Sequence, residues 1–72
     1  MISAIRQYDV VALTTDLPEH GLARGQVGTV LEVWEPDVFE IEFSDNAGQT
    51  YALLTLRAEQ LMLLHFAQDH AA

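Results

Sequence analysis

A mainly β domain of five short strands is predicted by three observations on this 72-residue chain. Apolar residues recur at every second position in short runs, no long stretch keeps a helical spacing, and Gly, Pro, Asn and Asp cluster between the runs. The length suits one domain with one small core, and an apolar content of 50% argues against a disordered chain.

The first strand is read over Asp9–Leu13, where Val10, Val11 and Leu13 supply the apolar content. A turn-rich loop from Thr14 through Gly25 follows; it is too long for a hairpin turn and is expected to fold back over one end of the domain. Val27–Glu35 is rich in β-branched residues and makes the second strand, closed by a turn at Pro36-Asp37. Val38–Phe43 is the third, antiparallel to it, with Phe39, Ile41 and Phe43 facing inward and Glu40 and Glu42 outward.

Ser44–Gln49 reads as a second turn, since Asp45, Asn46 and Gly48 tolerate positive φ. Thr50–Leu56 is the fourth strand. Tyr51, Leu53 and Thr55 share one face and Ala52, Leu54 and Leu56 the other, so it has no wet side and is expected to be central or covered on both faces. Arg57–Gln60 has the composition of one tight helical turn, and Leu61–Leu64 makes the last short strand. The ordered core is expected over 8–66, with residues 67–72 frayed. Five strands with one long loop after the first and a helical turn before the last match the order of an SH3-like barrel.

Charge narrows the function classes. Eleven Asp and Glu stand against three Arg and no Lys, for a formal net charge of −8. Phosphate contacts by Lys and Arg supply most non-specific affinity for nucleic acid, and only Arg6, Arg24 and Arg57 are present to make them. The acidity either keeps the domain soluble or draws it to a basic protein. Without cysteine there is no disulfide, thiolate nucleophile or cysteine metal site. No apolar run approaches the roughly 20 residues of a membrane helix, and Arg6 is followed by no secretory h-region, so the expected location is the cytoplasm.

The most informative motif is Leu22-Ala23-Arg24-Gly25-Gln26-Val27-Gly28-Thr29-Val30-Leu31-Glu32-Val33, with glycines three apart just before a β-branched strand. Gly25 can take the positive φ that ends the loop, and Gly28 can permit a bulge or a close backbone approach. This segment resembles the glycine-containing strand start of KOW and related SH3-like modules of ribosomal and transcription proteins, whose loops are basic where these are acidic. Together with Asp9-Val10-Val11-Ala12-Leu13, Asp16-Leu17-Pro18 and Tyr51-Ala52-Leu53, it is similar to a family of short bacterial proteins described only as a domain of unknown function (DUF4926), the likeness running from about Asp9 to Leu64. That resemblance implies a fold and carries no catalytic residues; it also implies that such proteins accompany small partner proteins.

Residues weighed singly point away from catalysis. His20, His65 and His70 are scattered between loop and tail without H-x-x-x-H spacing, so no metal is expected, and no cofactor signature is present. Asp16, Glu19 and His20 could supply acid and base groups, but no nucleophile accompanies them. Trp34 is turned outward by alternation from inward-facing Leu31 and Val33, as an interface anchor would be, unless a bulge carries it into the core. By analogy with the ligand groove of SH3-like domains, the candidate partner surface is His20, Leu22 and Arg24 of the long loop with Trp34, Glu35 and Asp37 of the neighbouring hairpin.

Leu61-Met62-Leu63-Leu64-His65-Phe66 exceeds the needs of a half-buried strand, which motivates an expectation of a homo-oligomer or a protein partner. The functional expectation is a non-catalytic protein-binding module, an accessory, antitoxin-like or regulatory subunit whose acidic surface meets a basic partner. The alternative is a KOW-like nucleic-acid-associated module.

Overall fold

The computed structural model describes residues 4–66. Its five strands are β1 (Val10–Leu13), β2 (Val27–Glu35), β3 (Val38–Ser44), β4 (Thr50–Arg57) and β5 (Leu61–Leu63). They form one antiparallel sheet in the order β4-β3-β2-β1-β5, with 3-10 turns at Pro18–His20 and Ala58–Gln60. Every predicted strand is present, with ends displaced by one residue at most. The sheet curls without closing, since β4 and β5 each have a neighbour on one side only.

Curling lets all five strands share one core. Val11 and Leu13 of β1, Val30 of β2, Phe39, Ile41 and Phe43 of β3, Leu56 of β4 and Leu61 of β5 are buried together. The alternation read from β3 holds, its apolar residues fully buried and Glu40 and Glu42 on the other face. Ile5 joins the same cluster, and Gln7 Nε2 donates to the Leu31 carbonyl at 2.9 Å, so the core begins earlier than the expected residue 8. The frayed tail expected over 67–72 lies outside the described residues.

The long loop is itself built. Leu17 and Leu22 exchange both backbone hydrogen bonds, at 2.9 and 3.1 Å, and drop both side chains into the core. Asp16 Oδ1 accepts from the Arg24 backbone N–H at 2.8 Å, and Gln26 Oε1 from that of Ala23 at 2.6 Å. Gly25 has φ +94° and its N–H donates to the Leu13 carbonyl, so the glycine ends the loop where the chain must turn back toward β1.

Gly28 serves by close approach and not by a bulge, because its register opposite Val11 is regular. A Cβ at this position would stand 2.7 Å from Ile41 Cγ2 and 2.9 Å from the Glu42 carbonyl oxygen. The missing side chain therefore leaves room for the Ile41 side chain and the Glu42 carbonyl of β3, which any Cβ would have to displace.

Two sequence expectations are corrected. β4 is an edge strand, neither central nor covered on both faces: it pairs with β3 alone and leaves Tyr51 and Leu53 exposed, because its inward residues Ala52, Leu54 and Leu56 suffice to close the small core. Leu31 is not an inward residue of a regular strand. Register shifts fall between Val30 and Glu32 and between Val33 and Glu35, so Leu31 and Trp34 are the extra residues of two bulges; Val30 takes the buried position and Val33 stays partly exposed.

Candidate partner-binding face

Residues directly opposite in an antiparallel ladder lie on the same face. Thr29 opposes Glu42, Glu32 opposes Glu40, and Glu35 opposes Val38 across β2 and β3; Glu42 opposes Leu53 and Glu40 opposes Thr55 across β3 and β4. Four carboxylates thus project from the outer face of β2 and β3, with Leu53 and Thr55 of β4 beside them. Arg57 is the only basic residue in those strands, stands at the end of the face, and pairs with Glu59 at 3.5 Å.

Trp34 belongs to this face. Its side chain is 58% exposed, and its indole Nε1 donates to Glu40 Oε1 at 3.2 Å. Thr55 Oγ1 donates to the same oxygen at 3.1 Å from β4, and the Thr50 hydroxyl donates to the Glu42 carboxylate. The bulge at Trp34 does not carry the ring into the core; it adds the residue that lets the indole lean back over β3. One carboxylate consequently fixes the orientation of a large aromatic surface while remaining only half-buried.

Glu32 directly across from Glu40 is an unfavourable pairing, since like charges in opposed positions destabilise a sheet. Leu53, 52% exposed beside Glu42, adds an apolar patch to the acidic field. The face offers carboxylates, one oriented indole and one aliphatic patch, a combination suited to cationic side chains with long apolar stems.

The candidate surface expected from sequence divides. Trp34 and Glu35 lie at the end of β2 and belong to the acidic face, while Asp37 sits half-buried in the β2–β3 turn, where its carbonyl accepts from Ala58 N–H at 2.9 Å. His20 and Arg24 are exposed, but the loop carrying them joins β2 at its first residue, the opposite end of the strand from Trp34. Leu22 is a correction: at 4% exposure it is a core residue, drawn inward by its pairing with Leu17, and cannot line a surface. Sequence alternation already turned Glu40 and Glu42 outward; what it lacked was the bulge that brings Trp34 to them.

Asp16, Glu19 and His20 form no convergent constellation. The Asp16 carboxylate caps the loop through Arg24 N–H, and Glu19 and His20 are exposed on the 3-10 turn. Among the described residues no group of three or more His, Asp or Glu is placed to hold a metal ion, and no helix is long and apolar enough to cross a membrane. In the carboxy-terminal run Leu61 is buried, Leu63 and Leu64 are half-buried, and Met62 and Phe66 are exposed.

A family model described as a domain of unknown function (DUF4926) matches residues 7–63, most of the chain. No curated protein and no solved structure matches it.

Proposed function

The chain belongs to the DUF4926 family, and on that footing we propose that it is a non-catalytic protein-binding module whose acidic outer sheet face receives a basic partner protein. The observation that carries this reading is the convergence of Trp34, Glu40 and Thr55, which orients an exposed indole in the middle of a field of glutamates. Tryptophan is a common energetic centre of protein interfaces, and complementary charge around it speeds and steers the encounter. A net charge of −8 favours a basic protein over nucleic acid. The role we assign is that of a cytoplasmic accessory subunit, antitoxin-like or regulatory.

Affinity capture from the native cell extract, with wild type, Trp34→Ala and Glu32→Gln baits in parallel, tests the assignment. A basic protein captured by the wild type and lost with both variants is the expected result. Nucleic acid retained in place of protein, released steeply with salt, would transfer the assignment to the KOW-like alternative.

A further inference from the structure

The acidic face ends in an open edge. β4 bonds β3 on one side, and among the described residues no backbone hydrogen bond from outside that ladder reaches Thr50–Leu56. A row of unpaired N–H and C=O groups is a template for another strand, which proteins ordinarily guard with short length, Lys, Pro or a bulge. The opposite edge is guarded in this way, β5 having only three residues. β4 has eight residues without Lys or Pro, and its one irregularity lies at its start, where Tyr51 stands between the pairs Ser44–Thr50 and Phe43–Ala52. Gln26 Nε2 donates to the Tyr51 hydroxyl at 2.9 Å and ties that end to the long loop, and at the other end Arg57 N–H donates to Gln60 Oε1 at 2.9 Å, so the open stretch is Ala52–Leu56.

We infer that the β4 edge takes up an extended segment of a partner protein as a sixth strand, a segment carrying Lys or Arg at every second position. The inference rests on the proposed reading of the acidic face and states how that face is engaged. A strand added beside β4 lies about 4.8 Å from it and roughly 10 Å from β3. Its outward side chains stand beside Leu53 and Thr55, which are in register with Glu42 and Glu40. Lys and Arg are long enough to cross β4, laying their methylene stems on exposed Leu53 and bringing their charged heads to the two carboxylates. The ladder supplies affinity and the glutamates select sequence, the division of labour found when peptides extend a sheet. A second copy of β4 is the poorer occupant. It holds one basic residue, Arg57, and brings another chain of net charge −8.

The test titrates the full chain with an eight-residue peptide alternating Lys and Val, at low and high salt, alongside two analogues N-methylated at the odd and at the even backbone nitrogens. All three carry the same charge, but only one set of nitrogens faces β4. The expected result is binding that weakens with salt, amide exchange slowed at least tenfold within Ala52–Leu56, and a tenfold or greater loss of affinity for one analogue but not the other. A Glu40→Gln, Glu42→Gln double variant should bind the parent peptide several-fold more weakly. Equal binding of parent and both analogues would overturn the edge inference and leave the acidic-face reading standing. No binding by any of the three would bring down both. A dimer in analytical ultracentrifugation at micromolar concentration, with β4 amides already protected in the free protein, would assign the edge to a second copy and overturn the inference.

Discussion

The Trp34 indole donates to Glu40 Oε1 across the β2–β3 ladder, and the contact exists because a bulge displaces Trp34 from the regular alternation of its strand. Its ring is largely in water, so the fold gains little from it. Trp34→Ala is expected to change unfolding free energy by less than about 1 kcal/mol while lowering partner affinity tenfold or more. Urea denaturation and a binding titration of the same preparation check the two halves; a large loss of stability would place the indole in the structural core.

Relief of like-charge repulsion should make Glu32→Gln more stable than the wild type. Removing one member of the Glu32–Glu40 pair is expected to add about 0.2–1 kcal/mol. The gain should shrink as salt rises, because these are exposed charges. Partner affinity should fall in the same variant, so thermal melts at two salt concentrations beside a binding curve separate stability from function.

At Gly28 the expected effect is wholly structural. Valine there meets Ile41 Cγ2 and the Glu42 carbonyl, and the backbone oxygen has no room to move. Overpacking of this kind costs about 1–3 kcal/mol, and in a domain this small it will lower the melting temperature by many degrees. An unchanged melting temperature would mean that β2 and β3 do not approach as closely as described.

Leu22→Ala should cost about 2–5 kcal/mol, the usual range for a buried leucine truncated to alanine, and His20→Ala almost nothing, although the two residues are neighbours on one loop. Chemical denaturation of both variants distinguishes a loop packed by its leucines from one that merely covers the sheet.

Tyr8 has φ +71°, a left-handed conformation that a bulky residue adopts at a cost, and its ring is 70% exposed. The turn around it is held by Arg6 N–H donating to Asp9 Oδ2 at 2.8 Å and by Tyr8 N–H donating to the Val30 carbonyl at 2.7 Å. Asparagine tolerates this conformation and keeps the backbone donor. Tyr8→Asn is therefore expected to raise stability by about 0.5–1 kcal/mol, read as a shift in denaturation midpoint at constant slope.

Which parts of this structure were legible in the sequence follows from the range of the interactions that determine them. Phe39-Glu40-Ile41-Glu42-Phe43 states its own faces, because alternation is a local property of a strand with one wet side. Gly25 and Gly28 likewise mark a left-handed residue and a close approach from the chain alone. Leu31 and Trp34 did not declare themselves as bulge residues, since a bulge is a relation between two strands and β2 taken singly reads as regular. The exposed Leu53 was legible as apolar but not as uncovered; its neighbours decide that, and β4 has one neighbour. Leu22 was misplaced for a similar reason. A leucine in a polar loop looks available until its pairing with Leu17 turns it inward.

The pairing of β1 with β5 joins the first strand to the last, at Val11 opposite Leu63 and Leu13 opposite Leu61. As the polypeptide leaves the ribosome, β1 can bond β2 early, but its other side stays unsatisfied until Leu61–Leu63 has emerged. Until Leu61–Leu63 pairs, β1 is therefore a bare edge of the sheet, and the last strand to be made replaces it with the short edge of β5.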